Sequence, residues 1–305
     1  MANTENNLLT RTVSAGGNGT IATTTYNYDA VGNVIQVNGP RNDVDDTEYA
    51  VWDALRRKTL SVGADPDGGG PRPRVTARQE FNADGLLVNE QIGTSNSPTA
   101  AGFNPIETTS HFYDASQQRI KTTTPTGVVQ FSYDGAGRLT CTAVRMNPNT
   151  YSALPVDACQ LSAQGSDGPD RISKNIYDAA GRVTQLIKGF GTSIQQTYST
   201  TSYTPNGKAD WVKDANNNLT DMAYDGFDRL SAMYFPSPAT GAGSANYSDY
   251  EQYAYDNANN RTSIRKRDGQ FIRFTYDGLN RETVRDYDGQ TKDVYTSYDL
   301  VGRKT

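Results

Sequence analysis

An aromatic residue followed by Asp, and three residues later by a residue that tolerates positive φ, recurs along the whole chain. Eight copies are strict at the first two positions: Tyr28-Asp29, Tyr113-Asp114, Tyr133-Asp134, Tyr177-Asp178, Tyr224-Asp225, Tyr255-Asp256, Tyr276-Asp277 and Tyr298-Asp299. Three are relaxed: Trp52-Asp53, Phe81-Asn82 and Tyr203-Thr204. Self-similarity at this density means that one small supersecondary unit is built again and again, each packing on its neighbour.

The third position after the Asp slot reads Gly32, Arg56, Gly85, Gln117, Gly137, Gly181, Gly207, Asp228, Asn259, Asn280 and Gly302. Nine of these eleven are Gly, Asn or Asp, the residues that enter the left-handed region most readily. An Asp carboxylate accepts amide N–H groups from the residues after it and so opens a turn. A left-handed residue then closes it as a G1-type bulge or a slightly longer hairpin loop. Each copy therefore predicts a hairpin.

The flanks agree. Val129, Phe131 and Tyr133 alternate before one turn, and Ile272, Phe274 and Tyr276 before another. A basic residue follows four after the Asp slot in seven copies, at Arg57, Arg138, Arg182, Lys208, Arg229, Arg281 and Arg303. Alternation with period two gives each strand one drier and one wetter face. The Arg residues suggest a ladder of ion pairs to Asp on neighbouring hairpins, with a face toward a cargo or glycan as the alternative. Between copies, Thr126-Gly127, Asp214 to Asn218, Asp268-Gly269 and Asp288-Gly289 predict a second class of turn at the other end of the strands. The fold class is thus all-β, a long antiparallel meander, with no helical periodicity. Residues 1–305 form a single array, with loop insertions near 62–75, 141–171 and 236–248.

A hydrophobic fraction of 35% and a mean hydropathy of −0.70 permit only a thin core. The 19 tyrosines outnumber 9 phenylalanines and 2 tryptophans, as suits strands whose rings are buried while the hydroxyls stay hydrogen-bonded. A net charge of −5 with interspersed signs argues against nucleic acid. The short basic run Arg265-Lys266-Arg267 reads as a solvated turn or strand. No apolar stretch is long enough to span a membrane. The N-terminal Met1-Ala-Asn-Thr-Glu-Asn-Asn7 lacks the basic start and apolar core of a signal peptide. Cys141 and Cys159 are the only cysteines; one disulfide and two free thiols are both compatible with the sequence.

Tyr133-Asp-Gly-Ala-Gly-Arg-Leu139 and Tyr177-Asp-Ala-Ala-Gly-Arg-Val183 resemble the YD repeats of Rhs, teneurin and insecticidal toxin-complex proteins. That resemblance implies a curved, spiralling sheet that contributes to a hollow shell, open or incomplete here. It implies that the shell encloses a C-terminal toxin in bacterial members, and that it presents a binding surface in teneurins. The expected partners are the remainder of the same shell and an encapsulated toxin polypeptide, with glycans as a further class. The expected location of the full-length protein is secreted or cell-surface. The Asp-Pro-x-Gly type motif that ends bacterial shells has no counterpart, since Asp65-Pro66 lies in an early loop. The chain is accordingly expected to be a fragment, a truncated gene or part of an interrupted array.

Residues for chemistry are sparse. His111 is the single histidine, without a Gly-x-Ser-x-Gly elbow, and reads as a strand residue. The repeat Asp residues read as turn caps rather than an acid–base pair. Asp43-Val-Asp-Asp46 and Asp214 to Asn218 lack the calcium-loop pattern. The reading is a non-catalytic structural segment with no cofactor and no metal. The alternative is a carbohydrate-binding or adhesion segment, argued from tyrosines that could stack on sugar rings.

Overall fold

The computed structural model describes residues 10–14, 21–41, 43–239, 241–289 and 293–305. The N-terminal segment read above for a signal peptide lies outside the described residues, as does residue 240 in the third loop. The chain forms two compact units, one of residues 1–137 and 142–170, the other of residues 138–141 and 171–305.

The first unit contains β1 (Thr10–Ser14), β2 (Ile21–Tyr28), β3 (Val34–Asn38), β4 (Thr47–Trp52) and β5 (Lys58–Val62). It continues with β6 (Arg74–Phe81), β7 (Leu87–Ser95), β8 (Asn104–Tyr113), β9 (Arg119–Thr124) and β10 (Gly127–Tyr133). Every strand pairs antiparallel with the next. β11 (Leu139–Arg145) has residues in both units.

The second unit contains β12 (Arg171–Tyr177), β13 (Val183–Lys188), β14 (Gln196–Tyr203), β15 (Ala209–Asp214), β16 (Leu219–Tyr224) and β17 (Leu230–Pro236). β18 (Ala245–Tyr255), β19 (Arg261–Arg265), β20 (Phe271–Tyr276), β21 (Glu282–Tyr287) and β22 (Val294–Tyr295) complete it. Again each strand pairs antiparallel with its successor. Among the described residues neither meander closes into a barrel. Among the described residues the only helical turn is a 3₁₀ turn at Pro148–Thr150.

The register shows why the motif makes hairpins. In nine of them the pairing shifts by one residue just before the aromatic, which then pairs with the residue six positions on, as in Tyr177↔Val183 after Ile176↔Gln185. The extra residue on the returning strand is a β-bulge, which increases local twist. Strand residues are mostly half-buried on both faces, as the low hydrophobic fraction requires.

Deep burial in the first unit lies where loops fold back on the sheet. Between β5 and β6, Arg74 is 5% exposed. It donates to the carbonyls of Thr47 and Gly63, both at 3.0 Å, and faces the carboxylates of Asp45 and Asp65. The acidic run at Asp43–Asp46 thus serves a guanidinium. The loop between β11 and β12 centres on Arg145, whose side chain is fully buried. It donates to Gln130 Oε1 at 2.6 Å, the Gln160 carbonyl at 2.7 Å and Asp170 Oδ2 at 2.7 Å. Burial pushes the Asp170 carboxyl up, but the amides of Ser162 and Met146, with Arg145, outweigh it and hold the group below its ordinary range. The third insertion lies between β17 and β18. Two further loops, residues 96–103 and 189–195, carry no signal that the sequence reading recognised.

Candidate functional site: the repeat junction

The turn is the same in all eleven copies. The residue three after the Asp slot has positive φ throughout, from 58° at Asp228 and Asn280 to 87° at Gly32. Its amide donates to the carbonyl of the Asp slot at 2.9–3.2 Å. The carboxylate then collects amides: Asp53 Oδ1 accepts those of Leu55 and Arg57, both at 2.9 Å. Asn82 and Thr204 reproduce part of this with a side-chain oxygen that accepts the amide four residues on, at 2.9 and 3.1 Å. Arg56 and Gln117 adopt φ of 61° and 62° although neither is Gly, Asn or Asp. The surrounding circuit therefore imposes the conformation on them.

The aromatic locks one repeat to the one before it. Tyr203 Oη donates to the Val183 carbonyl at 2.8 Å, Tyr224 to Ala209 at 2.8 Å and Tyr276 to Arg261 at 2.9 Å. Tyr113, Tyr133, Tyr177, Tyr255 and Tyr298 do the same to Leu87, Arg119, Leu139, Leu230 and Glu282. Trp52 uses its indole N–H on the Val34 carbonyl at 2.8 Å. In each case the acceptor sits six residues after the preceding aromatic, the position that pairs with that aromatic at a hairpin bulge. Phe81 is the exception, having no donor.

The repeat Arg reaches the other way. Its Nε donates to the Asp of its own turn at 2.7 Å in Arg57, Arg182, Arg229, Arg281 and Arg303. The guanidinium of Arg57 lies 4.3 Å from the ring centre of Phe81, the next aromatic. Arg138 over Tyr177, Arg182 over Tyr203, Arg229 over Tyr255 and Arg281 over Tyr298 follow at 4.4–4.7 Å. Arg229 also donates to the Asp256 carbonyl at 3.0 Å. The ring provides the cover: side chains of Arg57, Arg182, Arg229 and Arg281 are 21–33% exposed, whereas Arg303, with no ring over it among the described residues, is 80% exposed. The amide of the Arg four residues on, and then its guanidinium, hold the carboxyls of Asp53, Asp178 and Asp299 below their ordinary value.

Residues 113–145 match the family described as RHS Repeat, and the circuit they contain is the one found in all eleven copies. Residues 113–145 thus carry the Rhs-repeat match, and the other copies share their turn geometry. Among curated proteins, none matches the sequence. Solved structures similar to it include TcdB2-TccC3-TEV (14% identity, TM-score 0.46, covering 100% of this chain and 18% of that one). TcdB2-TccC3 without its hypervariable C-terminal region has 14% identity and a TM-score of 0.44, over 94% of this chain and 17% of that one. A Photorhabdus luminescens Tc holotoxin pore has 14% identity and a TM-score of 0.30, over 93% and 19%. The chain thus spans about a fifth or less of each of these proteins.

Two expectations about the repeats need correction. The ion pairs of Arg57, Arg182, Arg229, Arg281 and Arg303 do not run between hairpins: each closes within its own turn at a separation of four residues, and all but Arg303 lie over the ring of the next repeat. The turns between copies are not uniformly a second class. At Asp214 the carboxylate accepts the amides of Asn216 and Asn218, both at 2.8 Å, and Asn217 has φ 66°, the same circuit as in the repeat turns. Around Asp268-Gly269 the backbone bonds are again the same, with Lys266 in the Asp slot and Gly269 at φ 87°. The signal was present in the spacing of Asp214, Asn217 and Gly269, but no aromatic precedes these turns.

His111 is a half-buried strand residue with a largely covered side chain, whose Nδ1 lies 3.1 Å from Thr122 Oγ1 and whose Nε2 lies 3.6 Å from Glu90. Among the described residues no group of three or more His, Cys, Asp or Glu side chains could hold a metal ion. Cys141 and Cys159 are each disulfide-bonded. Arg74, Arg145 and Asp170, the buried charges, were missed, because nothing in a sequence distinguishes an Arg that a loop will cover from one that water will.

Proposed function

We propose that the chain is a non-catalytic stretch of wall from an Rhs-repeat shell that encloses a polypeptide, in the manner of shells that hold a C-terminal toxin. One observation carries the reading. The polar atoms of the motif are spent on the motif itself: phenols on the preceding repeat's backbone, carboxylates on their own turns, guanidiniums on the following ring. Such groups support a barrier whose task is to stay assembled. The remaining partners of this reading are the rest of the shell and the enclosed polypeptide. The two disulfide-bonded cysteines support a secreted or cell-surface location. The glycan-binding alternative loses its first support, since the repeat tyrosines are hydrogen-bonded and several are capped by Arg.

The test is protease protection. The protein is purified as encoded, together with any neighbouring sequence, and digested with proteinase K while mass spectrometry follows each segment. A segment outside the repeats that stays intact until the repeats are denatured supports enclosure. Cleavage of every such segment at the rate seen after denaturation overturns it.

A further inference from the structure

A cleft of about 560 Å³ opens in the first unit over β4, β5 and β6, roofed at one side by the loop of residues 96–103. Its size lies within the roughly 300–1,000 Å³ usual for small-ligand sites. Val51 pairs with Leu60, and Leu60 with Arg78, so these three side chains stand in one row on one face of the sheet. Phe81 and Phe103 also line the cleft. Val51 is 49% exposed, an apolar floor left open to water.

The charges in the cleft differ in how far they are satisfied. Asp53 and Arg57 close on each other in the repeat turn, with Arg57 Nη1 left buried and without a hydrogen-bond partner. The side chain of Arg78 makes no hydrogen bond among the described residues, although its backbone lies in the sheet. Its one ionic contact is with Glu80 at 3.7 Å, both side chains are about half exposed, and Glu80 already accepts a bond from Asn89. A guanidinium with open, coplanar donors beside an apolar floor matches a carboxylate joined to an apolar body, since the fork binds both carboxylate oxygens at once. We infer that this cleft binds a monocarboxylate with an aromatic or branched apolar body, its carboxylate on Arg78 and its body on Val51, Leu60 and Phe103. That chemistry has two sources, a small organic acid or the C-terminal residue of a polypeptide.

The inference is tested by calorimetry and by chemical-shift titration of the 305-residue chain. The probes are 3-phenylpropanoate and its neutral isostere 3-phenylpropanamide. The acid is expected to saturate a single site and to bind at least tenfold more tightly than the amide. Arg78→Gln abolishes that preference, and Phe103→Ala weakens both probes. Glu80→Gln, which removes the competing anion, tightens the acid several-fold, a gain that misfolding cannot mimic. Equal binding of acid and amide, no saturable binding, or no gain in Glu80→Gln overturns the proposal. Acetyl-Gly-Gly-Phe with a free or amidated C-terminus separates the sources. A free peptide that binds more tightly than 3-phenylpropanoate assigns the site to a polypeptide end, and a weaker one to a small acid.

Discussion

The phenol of Tyr224 donates to the carbonyl of Ala209 at 2.8 Å, and Ala209 is the residue that pairs with Tyr203, the ring of the preceding repeat. One hydrogen bond therefore ties an aromatic to the bulge built by the aromatic before it. Tyr224→Phe removes the donor and keeps the ring, and should cost about 1 kcal/mol, read as a lower urea midpoint with an unchanged slope. Phe81→Tyr is the converse, supplying the one donor that the series lacks, and should raise the midpoint.

Arg229 bonds its own Asp225, the Asp256 carbonyl and Asn259 Oδ1, and lies over the Tyr255 ring. Lys keeps the charge but not the planar fork. Arg229→Lys should therefore lose most of what Arg229→Met loses, about 1–2 kcal/mol. A Lys variant as stable as the parent would show that charge alone suffices.

Acid should leave the turns intact well below neutrality. The folded carboxyls of Asp53, Asp178 and Asp299 are held below their ordinary value, whereas unfolded Asp titrates at about 3.9. Their contribution is present in full above the unfolded value and is lost as pH falls through the folded values. Urea midpoints should be flat from about pH 7 to 5 and fall only below about 4. A steep loss between neutrality and pH 5 would assign acid sensitivity to other groups.

Gln117 occupies a left-handed position at φ 62° that nine of the eleven copies fill with Gly, Asn or Asp. Relief of that strain exceeds the extra freedom glycine has when unfolded, so Gln117→Gly should stabilise by about 0.5–1 kcal/mol. Chemical denaturation of the single variant decides it.

The hairpins were legible because their cause is local. Asp178, Gly181 and Arg182 lie within five residues, and the turn they form is closed by their own backbone and side chains. The junction was half legible. A tyrosine at every copy announces packing, but its acceptor is a backbone carbonyl, and carbonyls at Val183 or Leu230 carry no residue-type signal. The direction of the Arg contacts is not legible for a related reason: spacing fixes the own-turn Asp, while the ring above belongs to the next repeat's hairpin, whose approach only the structure supplies.

Arg145 and Asp170 were invisible in the sequence because burial there is conferred by the loop itself. Removing one partner strands a charge away from water, which typically costs about 3–5 kcal/mol. Arg145→Met should therefore destabilise the first unit more than any repeat substitution does. Limited proteolysis should then open first within residues 146–170.

Because a repeat that keeps both Tyr and Arg offers its carbonyl and guanidinium forward and its phenol backward, junctions between such repeats share the same two mating halves. A gene encoding such a chain can gain or lose whole units by recombination without inventing a new interface. Copy number is thus free to drift, while the reading phase of the unit is not: a cut that splits Tyr, Asp and Arg between partners leaves two halves that no longer mate.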